Sequence, residues 1–336
     1  MEELGMYINQ VFELTMLLDN ERFQKVLNRV CKKTEYMEEN ESEYIDRSWS
    51  SKGITVIFRD SQYKKKVKLI VDSALMLNGR LSDTDSLIRK LDKRINEYFN
   101  FKYKLDDFVL SDVMFAADID VHRRENVLAY LKVLRRIGRV KGFSPADYDC
   151  FENVNSFCLD GNSNNITFGI YDLKGIIKNQ IREDDTDRKK LKSVLRETEG
   201  ILRTEVRLTK PKAVRTYTSI DEVAGQIAEL SAKSQEIFLD VVTHIIPYGD
   251  YHKKGKAEEI VRKKVEDNVL RRRMLQLLAL IPEKKSLYLA QKAMNCRNIE
   301  RVMDEFARIN VSPVTISKRH DVKYLENLYA YLFEGV

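Results

Sequence analysis

Eight residues constrain this chain most. In Ile201-Leu-Arg-Thr-Glu-Val-Arg-Leu208 the side chains alternate, with Leu202, Thr204, Val206 and Leu208 on one side and Ile201, Arg203, Glu205 and Arg207 on the other. Alternation at period two marks a strand with one face on a core. The opposite face then carries a carboxylate between two arginines. A strand of this kind needs sheet neighbours, and two others bear chemistry. Val113 to Val121 places Asp118 and Asp120 on a shared face, and Asn165 to Asp172 ends in Tyr171-Asp-Leu-Lys174. Side by side, the three strands would gather two aspartates, a glutamate and a tyrosine.

The remaining pattern up to Pro211 mixes strands with helices. Gly53–Arg59 and Val67–Asp72 are β-branched runs joined by a basic tip, as in a hairpin. Ser82-Asp-Thr-Asp85 offers N-cap residues for a helix with Leu87, Ile88, Leu91, Ile95 and Phe99 on one stripe. Glu125–Ile137 reads as a second helix, and Asn155–Leu159 as a strand paired with the one that ends at Tyr171. The charged span 174–199 reads as a partly exposed helix. Spacing predicts a helix over 6–33, and the six carboxylates between Glu35 and Asp46 predict an acidic linker.

The expected fold class is α+β, a mixed or antiparallel sheet with helices on one face. Two halves, each a hairpin, a helix and a strand, precede an all-α C-terminal part. The expected division is 1–46 as helical segment and linker, 47–212 as the α+β unit, and 213–336 as helical domain. A fragment of about 45–215 is expected to fold alone.

Composition limits the function classes. The chain has 336 residues, 33% of them charged, and no apolar run near bilayer length. Cys31, Cys150, Cys158 and Cys296 lack CxxC spacing and read as thiols in a reducing cytoplasm. The net charge is +6, with a dense cluster from Tyr251 to Leu275 that includes Arg271, Arg272 and Arg273. A second basic stretch covers 284–319. Such clusters attract phosphate backbones or form solvated helix faces. Helices at Leu287–Met294 and Ile299–Ile309 have the spacing of a helical hairpin.

Two carboxylates two residues apart on a strand repel unless a cation sits between them, and hard ions such as Mg²⁺ or Mn²⁺ prefer oxygen ligands. Asp118, Asp120 and Glu205 are thus candidate metal ligands, or else surface acids. Arg203, Arg207 and Lys210 are candidate phosphate contacts. A tyrosine oxygen can attack a DNA phosphodiester and hold the 5′-phosphate as an ester, leaving a 3′-hydroxyl. Tyr171 is the candidate nucleophile, with Tyr130 and Tyr148 as rivals.

Ala117-Asp-Ile-Asp-Val121, Ile170-Tyr-Asp-Leu-Lys174 and Leu202-Arg-Thr-Glu-Val-Arg-Leu208 together resemble the replication initiators of rolling-circle plasmids and filamentous phages. The resemblance covers roughly 54–210 and rests on short motifs. It implies a divergent nicking-endonuclease fold, with Tyr171 as nicking residue, Asp118 or Asp120 and Glu205 as ligands of Mg²⁺ or Mn²⁺, and Lys174 as a phosphate contact. Partners implied are single-stranded and duplex origin DNA, a host helicase or polymerase, and a second copy in a homodimer. The chain lacks the His-hydrophobic-His pair of the wider nicking superfamily, and Leu173 stands where a lysine normally follows the Tyr-Asp pair. Two alternatives remain open: a DNA-binding protein of this fold that does not cut, and a metal-dependent nuclease that uses activated water.

Overall fold

The computed structural model describes residues 7–32, 37–40, 42–79, 81, 83–146, 154–183 and 188–333. In chain order its elements begin with β1 (Asn9–Leu18), α1 (Asn20–Cys31), β2 (Met37–Asn40), β3 (Glu43–Asp46), β4 (Ile54–Asp60), β5 (Lys65–Asp72), α2 (Ser73–Leu77), α3 (Thr84–Tyr98) and β6 (Val109–Asp120). Next come α4 (Arg124–Leu134), β7 (Phe143–Pro145), β8 (Ser156–Gly161), β9 (Ile166–Asp172), α5 (Leu173–Glu183), α6 (Arg188–Glu197) and β10 (Ile201–Leu208). The C-terminal part holds α7 (Pro211–Tyr217), α8 (Val223–Ala232), α9 (Ser234–Ile245), β11 (Tyr251–His252), α10 (Lys254–Lys264), α11 (Asn268–Lys284), α12 (Leu287–Met294), α13 (Ile299–Arg308), β12 (Tyr324–Leu325) and α14 (Leu328–Phe333).

Ten strands form one antiparallel sheet in the order β2-β3-β4-β5-β1-β6-β10-β9-β8-β7. The α+β class with C-terminal helices is therefore observed. The two expected halves meet at the β6–β10 pair: β4-β5 and β6 on one side, β8-β9 and β10 on the other. They differ because β1 is inserted between β5 and β6, whereas β9 pairs with β10 directly.

Two expectations fail here. Residues 6–33 do not form one helix, since Asn9–Leu18 is a central strand and only Asn20–Cys31 is helical. Phe12, Leu14 and Met16 are buried at period two, and the chain turns at Asp19, whose carboxylate accepts from the Arg22 N–H at 2.8 Å as an N-cap. The acidic stretch before Asp46 is not a plain linker either. Met37–Asn40 and Glu43–Asp46 pair as a hairpin at one sheet edge. The sheet thus draws strands from both sides of the boundary at 46, and a fragment starting at 45 lacks β1.

The remaining local readings hold, except that the single helix expected over 174–199 is two, α5 and α6. The β4–β5 hairpin, α3 and β6 lie where expected, and Asp83 caps α3 by accepting from the Ser86 N–H at 3.1 Å. Ser82 lies outside the described residues.

One main apolar core runs from Ile8 to Leu332. It lies on the sheet face bearing Phe12, Phe115, Phe168, Leu202 and Val206, and α4 packs there with Val127, Tyr130 and Leu134. The later helices share it: α8 packs on α3 and β6, α9 on β10, and α14 on β6. Ser231 on α8 donates to the Gln10 side chain of β1 at 2.8 Å, a buried link between distant parts of the chain. No described helix is long and apolar enough to cross a membrane.

Candidate functional site

The face of β10 turned from the main core carries Arg203, Glu205 and Arg207. Strand register decides what each meets. Arg203 sits opposite Asp118 on β6 and Tyr171 on β9, Glu205 opposite Ala116 and Gly169, and Arg207 opposite Met114 and Thr167. The three strands therefore lie side by side as the sequence implied. Asp118, Tyr171 and Glu205 share one face, and Asp120, opposite Ile201, lies at its end.

The arginines are already engaged. Arg203 forks onto Asp118 through Nε and Nη2, both at 2.8 Å. Arg207 donates from Nε to Asp112 at 2.7 Å. Asp112 is buried, and this burial pushes its carboxyl above the usual range against the pull of Arg207. On the neighbouring strands Lys68 pairs with Glu13 at 2.8 Å. The face is a ladder of alternating charges in which each of these cations has a carboxylate.

Glu205 sits in the middle of the ladder without an ion pair of its own among the described residues. It is half-buried, and that desolvation raises its pKa; Arg203 and Arg207 oppose the shift and Asp118 adds to it. Its strand neighbour explains the space around it. A Cβ at Gly169 would lie 2.0 Å from the Tyr171 hydroxyl, so the phenol occupies the room that glycine leaves. Gly169 lies between Glu205 on β10 and Cys158 on β8. The Tyr171 hydroxyl therefore rests over the strand position next to Glu205. Its ring is buried in a small cluster with Val154, Ile176 and Cys158, separate from the main core.

The other expected residues are dispersed. Asp120 is exposed and accepts from the His122 backbone N–H at 2.7 Å. Asp118, Asp120 and Glu205 are not drawn together, and among the described residues no group of three or more His, Cys, Asp or Glu is placed to hold a metal ion. As arranged, the donor set is not gathered for Mg²⁺ or Mn²⁺: register sets Arg203 rather than Glu205 opposite Asp118, and its guanidinium takes both Asp118 oxygens. Lys174 is turned to Glu199 at 2.6 Å, and this bond holds Glu199 below the usual carboxylate range. Lys210 is exposed at the start of α7.

Arg271, Arg272 and Arg273 lie on α11, which packs on α10, α12 and α13 rather than beside β10. Arg273 donates to Cys296 Sγ at 2.7 Å. Cys31, Cys158 and Cys296 form no disulfide; Cys150 lies outside the described residues, as does the rival Tyr148. Tyr130 is no rival. It is buried in the main core, its hydroxyl donates to the Glu326 carbonyl at 2.6 Å, and burial drives its pKa far up.

Gly169 and Asp112 were not singled out by the sequence. A lone glycine inside a strand run is the available signal for the first, because it marks a close approach. No comparable signal exists for Asp112, whose partner is fixed by register alone.

No family model matches this sequence, and no curated protein matches it. One solved structure similar to it is a rolling circle replication initiator protein from Geobacillus stearothermophilus. The likeness is distant, with a TM-score of 0.35 and 13% identity, over 72% of this chain and 86% of that one.

Proposed function

We propose that this chain is a replication initiator that engages a DNA phosphodiester on the face of β6, β10 and β9 and nicks it with Tyr171. The observation that carries the reading is the placement of the Tyr171 hydroxyl over Gly169, beside a desolvated Glu205 and within a ladder that includes two arginines. A carboxylate of raised pKa is a stronger base when ionised. Glu205 would take the phenolic proton as the Tyr171 oxygen bonds to phosphorus. The P–O3′ bond would break, and the departing 3′-oxygen would be protonated from solvent. Arg203 and Arg207 would meet the non-bridging oxygens by exchanging their carboxylates for phosphate.

The test is incubation of the full chain with single-stranded oligonucleotides, with and without Mn²⁺, scored for a covalent protein–DNA band. A band lost in Tyr171→Phe is the expected result. A band that persists in that variant overturns the assignment.

A second reading is favoured by the fork between Arg203 and Asp118 and by the burial of Tyr171. Both fit a protein that binds an origin without cutting it. Sequence-selective binding with no covalent band under any metal condition would select that reading. The duplex and single-stranded partners, a helicase or polymerase, a homodimer and a cytoplasmic setting belong to the same proposal.

A further inference from the structure

A second charged region lies beside α4, across the sheet from Tyr171. Lys132, Arg136, Arg319 and His320 line one cavity of about 410 Å³, together with Val133 and Ser317. Arg136 donates to the Thr315 carbonyl at 2.9 Å. Lys253 donates to the Ser317 carbonyl at 2.6 Å and also to the His320 carbonyl. Two cations thus pin the backbone of the loop that brings Arg319 and His320 to α4.

These five groups have no carboxylate ion-pair partner among the described residues. His320 registers the result. Desolvation, then Lys132, Lys253 and Arg136, hold its pKa below the usual imidazole value, and Asp321 is the weakest influence in the other direction. Burial also lowers the pKa of Arg136. Lys253 is the N-cap of α10, an end without a side-chain cap, so the helix dipole adds positive potential nearby. Like charges held together repel, and an anion relieves that cost.

We propose that this cavity is a phosphate-binding site, distinct from the β10 face, that takes a phosphoryl group between Lys132, Arg136, Arg319 and His320. Arg136 spends one N–H on the loop and retains others for a ligand, and His320 becomes a donor on both nitrogens once protonated. The proposal does not depend on nicking by Tyr171. Two sources supply such a group: a nucleic-acid backbone or a free small-molecule phosphate.

The test follows the imidazole protons of the four histidines by NMR in the full chain, with His320→Gln to assign the resonance. Inorganic phosphate should raise the His320 titration midpoint, because a bound anion stabilises the imidazolium. Without phosphate, Lys132→Ala alone should raise it too. The double variant Lys132→Ala/Arg319→Ala alters two exposed side chains and should weaken phosphate binding about tenfold or more. An oligonucleotide of about 16 nucleotides that moves the midpoint at lower concentration than pyrophosphate identifies the backbone; the reverse order identifies a small phosphate. Both results support the site. A midpoint indifferent to all three anions, or a phosphate response intact in the double variant, overturns it. Neither failure touches the covalent-band assay, which reads Tyr171 on the other face.

Discussion

The β10 face and the cavity beside α4 are both rich in cations, yet they are built in opposite ways. On the sheet, Arg203, Arg207 and Lys68 each hold a carboxylate. Beside α4, Lys132, Arg136, Lys253, Arg319 and His320 hold none among the described residues. A paired arginine contributes to the fold and must exchange partners before it meets a ligand. An unpaired cluster costs the fold something and is ready for an anion. Net charge alone does not distinguish the two, because it counts both alike.

The largest effect that separates the regions concerns Tyr171. Tyr171→Phe should reduce covalent adduct by about 10³-fold or more, with a stability change of about 1 kcal/mol, the scale of one hydrogen bond. At saturating DNA, Lys132→Ala/Arg319→Ala should leave the rate of adduct formation unchanged, and a matching loss there would break the comparison. Salt comes next. Affinity for DNA should fall by about 10³-fold between 50 and 200 mM salt if several phosphates are contacted, and a shallower slope in the double variant would place the unpaired cations on the nucleic acid.

A smaller effect tests the pairing itself. Arg207→Ala leaves Asp112 buried without its partner and should cost about 2 kcal/mol in urea unfolding. Arg319→Ala should stay within about 0.5 kcal/mol. Equal losses would show that pairing is not what distinguishes the regions. The smallest effect is pH-dependent. The pKa of Glu205 is higher in the fold than in the unfolded chain, so the fold binds the proton more tightly. Its stabilising contribution is complete below the ordinary carboxylate range and is lost as pH rises through the raised value. Glu205→Gln should flatten the thermal stability profile from mildly acidic to neutral pH. A slope identical to the parent would mean that Glu205 titrates normally.

Much of this was legible in the sequence, for reasons that differ by element. Ile201–Leu208 alternates without ambiguity, and β4, β5 and β9 are β-branched or bounded by turn formers. Asn9–Leu18 satisfies both templates: Val11, Leu14 and Leu18 recur at helical spacing, while Phe12, Leu14 and Met16 alternate. Burial on both flanks by β5 and β6 settles it as a strand, and that pairing is not local information. That Asp118, Asp120 and Glu205 are not gathered among the described residues has a related reason. Two residues apart on a strand, Asp118 and Asp120 share a side, but what faces them is set by register, and register puts Arg203 against Asp118. The cavity beside α4 was legible only in part: Lys253 and Arg319 fall in the two basic stretches, but Lys132 and Arg136 of α4 join them only through the fold.

The position of β1 bears on how the molecule comes to be made. Val11 pairs with both Asp72 and Met114, so during synthesis β1 waits through nearly a third of the chain with at least one side open. The final sheet centre closes only when β6 arrives, and β6 in turn needs β10. Contacts so distant along the chain fold slowly and leave hydrophobic edges exposed meanwhile. Early release of a truncated chain would yield an aggregate rather than a smaller working protein, which makes assembly of the sheet effectively all or nothing.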